Sequence, residues 1–302
     1  RRDAARQADG SPGRHAVIYH LHNPNEATMG RFARNREWRA RPFWMLNTFR
    51  YLPGDAATQA ARSYGRQMRS ILAGVGAHVV MQAPVARTAI GDRDWGAAAL
   101  VAYPDPEAFH TMATSTALAD TSRDRIASFA DQYLIPVSPG FIPGYAPDAP
   151  VHPRADIRTW YRASLETTPN AFIGDHHTQM SAGRAAALLD DPRFDHTQPV
   201  WMLNLLKYTG GDSAQHDAYV AAGGQSFLGR QFGLRVAYSA RATFPTLIGD
   251  IDWDSVAMVA YPSVHHFLTM GAHPDYIRIH RGRIEGLERT SIVAMQPRVV
   301  KL

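Results

Sequence analysis

Short runs in which apolar and polar residues alternate are separated by stretches with helical spacing. The alternation from Trp201 to Tyr208 predicts a strand. It puts Met202, Asn204, Leu206 and Tyr208 on one face and Trp201, Leu203 and Leu205 on the other. Gly210-Gly211-Asp212 reads as a turn, and residues 213–229 as a helix carrying Tyr219 and Phe227. Leu234 to Leu247 is strand-like, Gly249-Asp250 turns the chain, and Trp253 to Tyr261 is a further apolar strand. Ser263 is placed to cap a helical stretch that passes Phe267 and Met270 to about Leu287, with a break at Pro274. Residues 290–296 form a last strand. The order strand, helix, strand, strand, helix, strand is the ferredoxin-like split βαβ arrangement. Its helices cover one sheet face, so the bare face needs a partner.

The same pattern occurs twice. Pro42-Phe43-Trp44-Met45-Leu46-Asn47 returns as Pro199-Val200-Trp201-Met202-Leu203-Asn204. Ile90-Gly91-Asp92 returns as Ile248-Gly249-Asp250, and Val101-Ala102-Tyr103-Pro104 as Val259-Ala260-Tyr261-Pro262. Tyr51, Trp95, Phe109, Met112, Arg123 and Arg125 match Tyr208, Trp253, Phe267, Met270, Arg281 and Arg283. A constant offset over so many ordered matches marks a tandem duplication. The fold class expected is therefore α+β: two tandem ferredoxin-like repeats forming an intramolecular barrel. Residues 1–137 form the first repeat with an N-terminal extension. Residues 138–156 form a proline-rich linker, and residues 157–302 the second repeat. Each repeat opens with a short apolar segment, Ala16–Tyr19 or Ala171–Gly174, followed by a histidine and a helix-like stretch.

Composition narrows the chemistry. The 302 residues are 45% hydrophobic and 20% charged, as in a globular protein able to bury its own core. There is no cysteine, which excludes disulfides, thiol catalysis, Cys-ligated zinc and iron–sulfur clusters. No apolar run reaches the roughly 18 residues of a membrane span. The net charge of +5 comes from 32 basic residues that are all arginine except Lys207 and Lys301. They are scattered and interleaved with acids, so the chain is not expected to bind nucleic acid. Phosphate loops, GxGxxG turns and GxSxG elbows are missing. The chain starts Arg1-Arg2-Asp3. This leaves localisation open between the cytoplasm and, after loss of an upstream signal or anchor, the periplasm.

Trp201 to Tyr208, Trp253 to Ser263, Phe267 and Asp275-Tyr276 together resemble the domain of unknown function 1330 family, within the dimeric α+β barrel superfamily. The first repeat departs from that pattern, with Asp105 after Tyr103-Pro104 and Leu118 in place of the Asp-Tyr pair. A site there is expected to be degenerate. The resemblance implies two sheets packed face to face. It also implies the range of that superfamily: cofactor-free monooxygenases, isomerases, cyclases, haem enzymes and ligand-binding modules.

Candidate residues follow from chemistry and recurrence. Asn47 and Asn204 place an amide among apolar neighbours, fit to orient a substrate. His20 and His177 recur after the apolar segments, and an imidazole suits acid/base work near neutral pH. Arg281, at the equivalent of Arg123, could clamp a carboxylate or enolate, as could the Arg125/Arg283 pair. Tyr261 and Tyr276 offer phenols, and Trp253 an apolar wall. The catalytic set expected is His177, Asn204, Tyr261 and Arg281. The substrate-binding set is Asn47, His20, Trp253 and Tyr276, and no metal is expected. The function expected is binding of a small, largely apolar molecule in a barrel pocket, with proton transfer or cofactor-free oxidation. The alternatives are a non-catalytic binding module and a haem enzyme with an axial histidine. No cofactor is required by the leading reading, and further association into a homo-oligomer is left open.

Overall fold

A computed structural model describes residues 26–142, 169–192, 198–223, 232–296 and 298–299. His20, the Ala16–Tyr19 segment and the linker beyond residue 142 lie outside the described residues.

The first repeat opens with helix α1 (Glu26–Ala33) and strand β1 (Phe43–Tyr51). Helix α2 (Asp55–Gly74), β2 (His78–Ile90) and β3 (Ala97–Tyr103) follow. Three short helices, α3 (Pro106–Ala113), α4 (Thr116–Asp120) and α5 (Ser122–Ser128), lead into β4 (Phe129–Val137). The second repeat has α6 (Ala182–Asp190), β5 (Val200–Tyr208), α7 (Ala214–Gly223), β6 (Arg235–Arg241) and β7 (Ser255–Tyr261). It ends with α8 (Val264–Ala272), α9 (Pro274–Gly286), β8 (Leu287–Met295) and the short β9 (Arg298–Val299), which pairs with β2. Pro274 breaks the last helix in two, as the spacing predicts. The Ser263 hydroxyl does not cap α8. It meets His266 Nδ1 at 2.9 Å, whereas Asp105 caps α3 by accepting from the Ala108 N–H at 2.8 Å.

The sheet order is β4-β1-β3-β2 continued by β8-β5-β7-β6, so each repeat has the same antiparallel arrangement. The repeats join at two equivalent seams. At one, Ile90 pairs with Ile292 and Val85 with Met295. At the other, Ile248 pairs with Leu134 and Ala242 with Val137. The second seam closes the barrel through main-chain bonds, including Leu134 N–H to Ile248 O at 3.0 Å and Thr243 N–H to Pro136 O at 2.9 Å. The expected strand over Leu234 to Leu247 stops at Arg241. Pro245 has no counterpart in the first repeat and removes a ladder donor. Arg93 straddles this seam, donating to Tyr133 Oη at 2.6 Å and pairing with Asp250 at 2.5 Å and Asp131 at 3.2 Å.

The chain is thus an α+β protein of two tandem ferredoxin-like repeats fused into one barrel. The barrel interior is packed with large side chains. Trp44, Leu46, Trp95, Trp201, Leu203 and Trp253 pack there with Tyr133 and Tyr238. Trp44 stacks on Tyr238 at 5.3 Å, and Trp95 lies 5.1 Å from Tyr133. Large aromatic side chains from both repeats fill the space between the sheets. Among the described residues no helix is long and apolar enough to cross a membrane.

Candidate functional site

Empty space lies on the other face of each sheet, beneath the helices. The first repeat holds a cavity of about 1310 Å³, lined from β1, β3, α2 and α5. The second holds one of about 380 Å³, lined from β5, β7, α7 and α9. The two are built from equivalent residues. Asn47, Tyr51, Tyr103, Phe109, Met112 and Arg125 line the larger. Asn204, Tyr208, Tyr261, Phe267, Met270 and Arg283 line the smaller. The alternation on β5 explains this: Met202, Asn204, Leu206 and Tyr208 face the cavity, and Trp201, Leu203 and Leu205 face the barrel core.

The size difference has a local cause. Tyr276 in the smaller cavity stands where Leu118 stands in the larger. Its hydroxyl meets that of Tyr219 at 2.9 Å, so two phenols fill space that the first repeat leaves open. The first repeat, expected to be degenerate, has the larger cavity.

The two asparagines are held alike. Asn204 Nδ2 donates to Met202 O at 2.8 Å and to Ala257 O at 3.4 Å. Asn47 Nδ2 donates to Met45 O at 2.9 Å and to Ala99 O at 3.5 Å. These carbonyls fix the amide orientation, since a flip would set Oδ1 against two acceptors. Oδ1 of each accepts no hydrogen bond among the described residues. Each repeat therefore keeps an acceptor available on the cavity face of its first strand.

Arg283 is 4% exposed. It donates to Thr178 O at 3.0 Å and Thr290 Oγ1 at 3.4 Å, and Thr290 in turn donates to Leu205 O at 2.9 Å. No carboxylate pairs with it among the described residues. A buried guanidinium held by neutral acceptors is available to an anion. Arg125 occupies the same position in the first repeat at 7% exposure and hydrogen-bonds Tyr64.

His216, at the start of α7, lines the smaller cavity next to Asp217. Burial first, and then the Arg283 cation, push its pKa down to about 4, so the ring is neutral at pH 7. Neither ring nitrogen has a hydrogen-bond partner among the described residues. The Tyr208 ring lies 5.3 Å away. Burial also raises the Tyr276 phenol well above its ordinary value, so it stays protonated.

The structure brings Asn204, Tyr261 and Tyr276 together around one cavity and places Asn47 at the equivalent point of the other. Three expected site residues lie elsewhere. Arg281 points into solvent, 83% exposed, and pairs with Glu285 at 2.6 Å one helical turn on. Its neighbour Arg283 has the buried position instead. His177 is exposed and lines neither cavity; its Nε2 meets Leu287 O at 3.2 Å. Trp253 belongs to the barrel core, on the side of the sheet away from the cavities. Among the described residues no group of three or more His, Asp or Glu is arranged to hold a metal.

No family model matches the chain, and no curated protein matches it. Solved structures are similar to it at a distance. An anthrone oxidase-like protein is 11% identical over 86% of this chain and 93% of its own, with a TM-score of 0.47. The chlorite dismutase of Candidatus Nitrospira defluvii, solved with imidazole, is 10% identical over 84% and 91%, with a TM-score of 0.40. A protein of unknown function from Rhodopseudomonas palustris is 24% identical over 39% of this chain and 96% of its own, with a TM-score of 0.35. Likenesses this distant carry nothing about chemistry.

Proposed function

We propose that the second repeat binds a small, largely apolar carbon acid and removes a proton from it without a cofactor. One observation carries this reading: a neutral His216 and an Asn204 Oδ1, both without a hydrogen-bond partner among the described residues, line the same cavity as the buried Arg283 cation. In this reading the imidazole accepts the proton and the guanidinium holds the enolate that forms. Asn204 accepts a hydrogen bond from a hydroxyl of the bound molecule. A developing enolate beside the ring raises its basicity as the reaction proceeds, which offsets the depressed pKa of the free site. The enolate then reprotonates elsewhere, as in an isomerase or cyclase, or reacts with dioxygen, as in a cofactor-free monooxygenase. A cavity of about 380 Å³ suits a molecule of one or two rings. The resemblance to the domain of unknown function 1330 family is part of this proposal and adds no activity to it.

Haem fits poorly. The cavity with a lining histidine is the smaller one, and no histidine lines the larger among the described residues.

The test is deuterium incorporation. The protein is incubated in D2O at pH 7 with 2-tetralone and with β-diketones, and label is read by mass spectrometry. Exchange above the buffer rate is expected, lost in His216→Ala and reduced in Arg283→Met. Exchange at the buffer rate for every compound, or full exchange in His216→Ala, overturns the proposal.

A further inference from the structure

The larger cavity has a different charge from the smaller one. Four arginines line it, Arg62, Arg66, Arg69 and Arg125, while no Asp, Glu or His does so among the described residues. Arg62, Arg66 and Arg69 follow one another at spacings of four and three along α2, so they share a helix face. All three are exposed, and none pairs with a carboxylate among the described residues. Arg125 enters from α5 and is buried. Its guanidinium hydrogen-bonds Tyr64. The remaining wall is largely apolar, with Phe49, Phe109 and Met112 among its residues. The smaller cavity carries two arginines, Arg241 and Arg283, and one carboxylate, Asp217, which pairs with Arg241.

We infer that the first repeat is a separate binding site for an apolar organic acid, taken up as its anion. The acid group pairs with buried Arg125, whose planar fork matches a carboxylate. The arginines on α2 lie along the approach and attract the anion, and the apolar wall takes its carbon body. Nothing lining this cavity among the described residues has the ordinary pKa of a neutral-pH base, so the site binds without proton transfer. The two repeats thus divide their roles, one holding an acid and one acting on a carbon acid. This inference is independent of the proposed chemistry in the second repeat.

The experiment is calorimetric titration with 2-naphthoate and its uncharged isostere 2-naphthamide, at low and at physiological salt. Naphthoate is expected to bind at least tenfold more tightly than the amide, with the preference shrinking as salt rises. Arg125→Met is expected to abolish the preference. The double variant Arg66→Gln/Arg69→Gln alters exposed residues that leave the fold intact, so it serves if Arg125→Met fails to fold. It is expected to weaken naphthoate severalfold and flatten the salt dependence. Leu118→Tyr, which copies the second repeat, is expected to weaken both compounds. Equal binding of acid and amide, no binding of either, or a preference untouched by the arginine substitutions overturns the inference. Loss of the charge preference here and loss of deuterium exchange in His216→Ala are separate readouts, so either reading can fail alone.

Discussion

His280 offers a quantitative test of how this fold buries charge-capable groups. It lies on α9 at 2% exposure, its ring 5.4 Å from that of Tyr276 and 5.7 Å from that of Phe172. Neither ring nitrogen has a hydrogen-bond partner among the described residues. Burial, and then the charges of Arg283 and His176, push its pKa from 6.5 down to about 3. The depressed value belongs to the folded state, so the unfolded chain takes up the proton first as pH falls. Stability is therefore intact above 6.5 and is lost progressively as pH falls from 6.5 toward 3. Between pH 7 and pH 5, a histidine with these two values withdraws about 2 kcal/mol. His216, pushed down to about 4, withdraws a similar ~2 kcal/mol over the same interval. Replacing His280 with leucine removes one of the two contributions. The assay is urea denaturation of both proteins at pH 7 and pH 5. Effects of the carboxylates are common to both proteins and cancel in the difference. The expected result is a pH-dependent loss smaller by about 2 kcal/mol in His280→Leu than in the parent. Parallel losses in the two proteins would refute the reasoning.

Other predictions concern the seams and the cavities. Gly249 has φ +129°, and a Cβ there would lie 1.9 Å from Tyr133 Cδ1; Gly249→Ala is expected to cost roughly 3 kcal/mol in thermal or chemical unfolding. Its counterpart Gly91 would meet the movable Ser291 hydroxyl at 3.0 Å, so Gly91→Ala is expected to cost less, about 1–2 kcal/mol. Asn204→Asp replaces a donor facing Met202 O and Ala257 O with an acceptor; it is expected to lower stability by about 1–3 kcal/mol and to suppress deuterium exchange. Tyr276→Leu copies the first repeat and opens the smaller cavity. Calorimetry is expected to show new binding of 2-naphthol, with stability lowered by about 1–3 kcal/mol through loss of the Tyr219 partner.

Much of the architecture is legible in the sequence because two independent signals agree there. The period of two on Trp201–Tyr208 and the constant offset between repeats point to the same strand order. Asn47 and Asn204 stand out because an amide recurs at one point of an apolar strand. The position of the cavities is not legible, because alternation gives two faces without saying which has room. Volume decides that, and four tryptophans fill the barrel side. Arg283 is within reach of the pattern: Tyr276, His280 and Arg283 are spaced by four and three and share the buried face of α9, which Arg281 leaves. His216 is hidden for a different reason. Gln59 stands at its counterpart in the first repeat, so a search for recurring residues passes over it. A residue that makes one repeat differ from the other is invisible to reasoning from their likeness.

Crystals soaked with 4-bromophenol give the most direct check, since anomalous scattering locates the bromine wherever it binds. The expected peak lies on the helix side of a sheet, beside Asn204 or at the equivalent place beside Asn47. A peak inside the barrel among Trp44, Trp95, Trp201 and Trp253 would contradict the placement of the binding sites beneath the helices, as would peaks confined to the outer surface.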